Sequence, residues 1–300
     1  MLQLVKNEVE QYFNLAIEIK INTLHVETQL MQLLFFCPRW GQDHIPWDEF
    51  AKKTKQSGYD GVESGLNVEG SDDELMLYEL NKYDLQFIGQ HWQTITPDFE
   101  QHYNEYEKRL RNLAAAKPLF INSQTGKDYY SFEQNKQLID LASAISTETG
   151  IPIIHETHRG KFSFAAHITK DYLQKLPELK ITLDISHWCT TAESLLDDQR
   201  KAVDLAIART EHIHARVGFP QGPQITDPRS PEWNEALQFH LSCWDKVVER
   251  KRKEGTLSLT ITPEFGPYPY MVHFPLTNKP ITDQWDINSY MMNMLRKRFE

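Results

Sequence analysis

Residues 181–188 read ITLDISHW: a short apolar and β-branched run enters Asp184, and His187 follows three positions later. The run is continuous rather than alternating, as in a parallel strand buried on both faces. An aspartate that closes such a strand has two ordinary uses. It can cap the helix that follows, or it can form one corner of a site. The segment alone leaves both open, so the neighbouring strands decide.

Seven more runs of this kind surround it: MQLLFFC at 31–37, YDGVES at 59–64, LQFIGQH at 85–91, PLFINSQ at 118–124, IPIIHE at 151–156, EHIHARV at 211–217 and LSLTITPE at 257–264. Their starts are spaced by about 30 residues, the length of one βα unit, with a wider gap before the last. Segments of helical periodicity lie between them. PWDEFAKKTKQSG opens on Pro46 and closes on Gly58, the usual start and stop punctuation. DFEQHYNEYEKRLRNLAAA, SFEQNKQLIDLASAISTETG, AESLLDDQRKAVDLAIA and SPEWNEALQFHLSCWDKVVERKRKEG read the same way, so residues 192–208 are expected to be helical. The pattern predicts a single α/β domain, a (β/α)8 TIM barrel over residues 30–300. A doubly wound open sheet is the alternative, but no glycine-rich GxGxxG turn follows any strand. Residues 1–29 form an N-terminal extension in which Val5, Val9, Tyr12, Phe13, Ala16 and Ile17 recur at helical spacing, predicting a helix packed on the barrel.

Composition narrows the function. With 42 acidic against 32 basic residues the net charge is −10, which repels phosphate backbones and argues against a nucleic-acid partner. No apolar run approaches the ~20 residues that cross a bilayer, and the charged N-terminus lacks a signal-peptide core. The three cysteines, Cys37, Cys189 and Cys243, are odd in number and make no metal-type pair, which suits a reducing, cytoplasmic setting without disulfides.

In a barrel of this type chemistry sits at the C-terminal ends of the strands. Strand two ends in Glu63 and strand three in His91. Strand five offers Glu156 and His158, and strand six Asp184 and His187. Strand seven offers His212 and His214, and strand eight ends in Glu264. A ring of carboxylates and imidazoles is therefore expected on one rim. Two glutamates, an aspartate and a histidine make an oxygen/nitrogen set suited to one Mn²⁺, Mg²⁺, Co²⁺ or Zn²⁺ ion. Unpaired carboxylates brought together repel, and a cation is the simplest reason for them to converge. The alternative is a ring of helix caps and ion pairs, with Arg159 and Arg216 as partners.

The run Glu156-Thr157-His158, the D-x-x-H of LDISH, HIHAR, and PEFGP closing the last strand resemble the xylose isomerase-like TIM barrels. That superfamily holds sugar and sugar-phosphate isomerases and epimerases, and also endonuclease IV. The resemblance covers roughly residues 30–295. It implies that Glu156, Asp184, His214 and Glu264 are the metal ligands. It further implies that His187 and His158 face the substrate or a second metal. Where the family often has lysine and then aspartate after the strand-seven histidine, this chain has Arg216 and Val217. The stretch GFPQGPQITDPRSPEW also lengthens the path from His214 to Glu264.

The expected activity is that of a metal-dependent sugar isomerase or epimerase. A chelated sugar would lose a carbon-bound proton to one glutamate and regain it from the other through an enediolate, with Glu156 and Glu264 as the pair. His187, His158, Arg216, His91 and Trp188 are expected around the substrate. Trp40, Trp92 and Phe265 are further aromatics beside strand ends, able to stack on a sugar ring or to pack under loops. A lyase or dehydratase acting on a cyclic polyol or keto-acid would use the same groups. An endonuclease IV-like enzyme fits less well, because strand four ends INSQTG without histidine and Asp227-Pro228-Arg229 is no D-x-H. A non-catalytic sugar-binding barrel is the remaining class. The partner is a small sugar or polyol with no phosphate-cradling loop evident, and the chain could form a homo-oligomer.

Overall fold

The computed structural model describes residues 31–67 and 73–300. The predicted helix in the N-terminal extension lies outside the described residues. Eight strands close into one parallel barrel: β1 Gln32–Pro38, β2 Gly61–Ser64, β3 Gln86–His91, β4 Ile121–Ser123, β5 Ile153–Glu156, β6 Ile181–Leu183, β7 Thr210–His214 and β8 Ser258–Thr262. Leu33 opposite Leu259 in the β1–β8 ladder shuts the ring. Helices run between the strands in the βα order that the spacing predicts, as in Phe99–Ala115, Phe132–Thr149 and Asn234–Lys253. Their ends carry local signals. Asp98 accepts from the backbone N–H of Gln101, Ser131 and Gln134 form a capping box, and Gly150 stops its helix in the left-handed region at φ 74°.

Strand periodicity divides the interior in two. Leu34, Phe36 and Ile88 point into the barrel and pack together with Phe120. Their strand neighbours Phe35, Cys37 and Phe87 point outward and join the large apolar layer between barrel and helices. That layer includes Tyr106, Leu110, Ile181, Ile213, Trp244 and Ile261. Each alternation along a strand thus sends one residue into the barrel and the next into the shell.

One expected element differs. Residues 192–208 are not a continuous helix: Ser186–Ala192 ends at Glu193, regular helix resumes at Arg200–Arg209, and Glu193 and Leu196 take positive φ of 49° and 59°. Two left-handed residues break the i→i−4 ladder, and the turn buries Leu196 completely. Among the described residues no helix is long and apolar enough to span a membrane. The three cysteines are free and buried.

Candidate active site

The same alternation places the polar interior. Glu63 on β2, Gln90 on β3, Asn122 on β4, Glu156 on β5, and His212 and His214 on β7 form one hydrogen-bonded set inside the barrel. Asp184 and Glu264 stand just past the ends of β6 and β8 and join it from above. All eight side chains are buried. Ligand-type atoms of Glu156, Asp184, His214 and Glu264 lie within 4.8 Å of one another. The four residues that the resemblance implies as ligands form one of three such groups among the described residues, the others being Glu63–His212–His214 and Glu156–His158–His187.

Asp184 answers both halves of its own question. One carboxylate oxygen accepts from the backbone N–H of Ser186 at 3.1 Å, at the start of the next helix, and from the Ser186 hydroxyl at 2.5 Å. The other pairs with Arg216 Nη2. Arg216 also donates from Nε to Ser186 Oγ at 3.2 Å and from Nη2 to His187 Nε2 at 2.7 Å, and Nη2 lies 3.7 Å from Glu264 Oε2. The ion pair expected of a structural ring and the carboxylate cluster expected of a metal site coincide.

His214 stands at the centre. Its Nε2 is 3.0 and 3.1 Å from the two Glu63 oxygens, whereas Nδ1 is 2.9 Å from Glu264 Oε2 and 3.7 Å from Glu156 Oε1. The contact with Glu264 is close but not aligned, so Nδ1 makes no hydrogen bond. Asn122 Nδ2 donates to Glu63 and Glu156 at 2.9 and 3.2 Å, and Gln90 Nε2 donates to Glu264 at 3.0 Å.

The electrostatics follow from this crowding. Burial, with Glu264 and Asp184 close by, pushes the Glu156 carboxyl up to about 8. Burial also works against ionisation of Glu264, but His214 and Arg216 outweigh it and hold its carboxyl below the usual range. Burial alone would discharge His214, yet Glu264, Glu63 and Glu156 together hold its imidazole well above its ordinary value. Three carboxylates and one imidazole nitrogen without a hydrogen-bond partner, aimed at one point, fit a divalent cation. The all-oxygen-and-nitrogen donor set is of the kind that suits Mn²⁺, Mg²⁺, Co²⁺ or Zn²⁺.

Glu156, Glu264, His158 and Arg216 open onto a cavity of about 180 Å³, with Gln90, Gln124, Trp40, Trp92 and Tyr270. A second hollow of about 300 Å³ adjoins it through Trp40, Gln90 and Trp92. A larger hollow of about 1330 Å³ opens at the opposite end of the barrel around Leu34, Phe120 and Thr260. The ionisable cluster faces the small one, so the small one is the candidate site.

Several expected substrate contacts lie elsewhere. His91 closes β3 on the outward-facing register, where its ring nitrogens meet Ser123 Oγ at 3.2 Å and Thr94 Oγ1 at 2.7 Å and its ring packs on Tyr106. Gln90, one position earlier, is the β3 residue that points inward. Trp188 is buried and donates its indole N–H to the Ser163 carbonyl at 2.8 Å, and Phe265 is buried in the core. Both aromatics belong to the apolar core and do not line the cavity. His187 is fully buried, with its ring centroid 3.9 Å from that of His158, which does line the cavity. Sequence reasoning passed over Gln90, Asn122 and Gln124, because an amide at a strand end carries no distinctive signal. It also passed over Tyr270, which comes from the loop after β8.

Compared with known proteins, the chain matches no protein-family model and no curated protein sequence. Its fold, however, is shared with solved structures. One is a probable 3-DHS dehydratase, AsbF, involved in petrobactin synthesis in Bacillus anthracis: 17% identity, TM-score 0.57, covering 89% of this chain and 100% of that one. Another is a D-allulose 3-epimerase from Methylomonas sp. in complex with D-allulose, at 16% identity and TM-score 0.58, covering 89% and 98%. A third is a xylose isomerase-like TIM barrel protein from Mycobacterium smegmatis in complex with magnesium, at 8% identity and TM-score 0.54, covering 91% and 99%. The chain therefore shares the TIM barrel fold of these proteins.

Proposed function

We propose that the protein is a divalent-metal-dependent enzyme that moves a proton between carbons of a sugar or related polyol, as an isomerase or epimerase. The observation that carries this reading is the placement of Glu156 and Glu264. They come from β5 and β8, share a centre with Asp184 and His214, and line one small cavity.

Glu156, Asp184, His214 and Glu264 would hold the cation, which when bound supplies Lewis-acid stabilisation of charge developing on substrate oxygens. The remaining work falls to the chain itself. One glutamate takes the proton from the carbon beside the carbonyl. The other returns a proton to the neighbouring carbon or to the opposite face of the same one. Gln90 and Asn122 donate to these carboxylates and fix where they point. Arg216 and His158 present hydrogen-bonding groups to the sugar hydroxyls. Trp40 and Tyr270, packed edge to face at 5.0 Å, wall the cavity against water. The net charge of −10 and the lack of a phosphate-cradling turn favour an uncharged substrate over a sugar phosphate.

The test is a panel of ketoses and aldoses incubated with metal-loaded protein in deuterated water. Incorporation of solvent deuterium at the carbon beside the carbonyl, with a new isomer or epimer, is the expected result. A dehydratase resembling the fold neighbour would instead release water and give an unsaturated product. Metal-loaded protein that exchanges no carbon-bound proton on any panel member overturns the proton-transfer reading.

A further inference from the structure

We infer that Glu63 is the positioning residue that aims His214 at the cation, by holding a proton on Nε2 so that Nδ1 is the nitrogen that binds. The inference rests on the metal-site reading above and deepens it. It comes from the only strand-end carboxylate of the barrel interior that stands outside the quartet among the described residues.

Glu63 sits on β2, across the barrel from β7, and is 1% exposed. Four groups converge on its carboxylate. Thr262 Oγ1 donates to Oε2 at 2.5 Å and Asn122 Nδ2 to Oε1 at 2.9 Å. The His212 ring approaches Oε2 at 3.2 Å, and His214 Nε2 lies 3.0 and 3.1 Å from the two oxygens. Two carboxylate oxygens at that distance place a hydrogen on Nε2, although the Asn122 amide nitrogen also stands 3.1 Å from it. A hydrogen that the Glu264 charge holds on Nδ1 from 2.9 Å is the one a cation would displace. The ring then turns Nδ1 toward Glu156, Asp184 and Glu264, where it is buried and makes no hydrogen bond.

Histidines that bind metals commonly give their second N–H to a carboxylate, which fixes the ring and raises the basicity of the binding nitrogen. Glu63 has that geometry and no path to the substrate, since it does not line the cavity. His212 serves as an internal comparison. It sits two residues away on the same strand and touches the same carboxylate. Its own Nδ1 is tied to Thr260, 2.9 Å from the carbonyl and 2.7 Å from Oγ1. Glu63 therefore has a task at His214 that it lacks at His212.

The experiment titrates Co²⁺ into metal-free wild-type and Glu63→Gln proteins. Affinity is followed by calorimetry, the ligand field by visible absorption, and unfolding by circular dichroism. Glu63→Gln should bind Co²⁺ about 10- to 100-fold more weakly with an altered absorption band. Equal affinity and equal spectra for wild type and Glu63→Gln overturn the role of Glu63 and leave the metal site standing. A wild-type protein that takes up no Co²⁺ overturns the metal reading itself. Should Glu63→Gln fail to fold, nitrogen chemical shifts of His214 in Zn²⁺-loaded wild type decide. Zn²⁺ on Nδ1 with a proton on Nε2 supports the inference, and the reverse arrangement ends it.

Discussion

His214 inside the barrel and His240 in the shell between barrel and helices are both fully buried, yet their surroundings oppose each other. His214 meets Glu63, Glu156 and Glu264. His240, on the helix Asn234–Lys253, has only backbone hydrogen-bond partners: its Nδ1 lies 2.8 Å from the Ala236 carbonyl, and Gly218 N–H donates to its Nε2 at 3.2 Å. Burial alone discharges an imidazole, and His240 is accordingly pushed down to about 4. At His214 the carboxylates reverse the direction. One region hides its polar groups from charge, while the other gathers charge and leaves it only partly paired. A shell built for packing has no reason to do the second, which is why the interior is read as the site.

The largest effect should come from the interior. Glu264→Gln keeps shape and hydrogen-bonding capacity but removes the proton acceptor. Turnover and solvent-deuterium exchange should fall by about 10²–10⁴-fold, since general acid–base groups contribute on that scale. Glu156→Gln should do the same. Because both residues are proposed to hold the cation, the rates count only for variants shown to retain metal. A metal-loaded Glu264→Gln protein that exchanges at the wild-type rate would reduce Glu264 to a ligand.

The contrast also explains how far sequence could reach. Strand ends were legible because eight continuous apolar runs at βα spacing admit little besides a barrel, and barrels place chemistry at one rim. Glu156, Asp184, His214 and Glu264 were legible as strand-end residues, His214 over His212 only through the family resemblance, and their ligand-type atoms lie within 4.8 Å of one another. His91 was misjudged by one position, because period-two alternation sends Gln90 inward and His91 toward Tyr106. The phase of a short strand buried on both faces cannot be read from hydrophobicity, which is uniform along it. Glu63 was visible as a strand end, but its partner His214 is 151 positions away and the contact crosses the barrel. Trp188 and Phe265 stand beside candidate site residues in sequence and are buried in packing. The helix expected at 192–208 failed because Glu193 and Leu196, neither of them glycine, adopt positive φ.

A shell truncation should sharpen the division by affecting stability alone. Leu110 is fully buried between the barrel and the helix Phe99–Ala115. Leu110→Ala should cost about 2–5 kcal/mol of unfolding free energy. It should leave Co²⁺ affinity within about twofold of wild type, because no group touching the cluster moves. Urea unfolding and metal titration of the same preparation check both halves. A tenfold loss of metal affinity in this variant would show that shell and interior are mechanically coupled and that the comparison is too clean.

The smallest effect concerns His240 and reads the shell through its acid response. An unfolded imidazole ionises near 6.5, whereas His240 in the fold is held to about 4 by burial, with Arg216 adding to the same direction and the Ala236 carbonyl opposing it. Between those two values the unfolded chain binds a proton that the folded chain refuses. Stability therefore falls as pH drops from about 6.5 to about 4 and levels off below that, the penalty being absent above pH 7. His240→Gln can still accept from the Gly218 N–H but carries no titrating ring. Between pH 7.5 and 4.5 the wild type should lose about 2 kcal/mol more unfolding free energy than the variant, on the scale of 1.36 kcal/mol per pH unit. Other buried groups, the cluster around His214 among them, titrate in both proteins and cancel in the difference. Urea unfolding at the two pH values measures it. Equal acid losses in the two proteins would mean that His240 gains its proton without unfolding, and that the shell around it admits charge as the interior does.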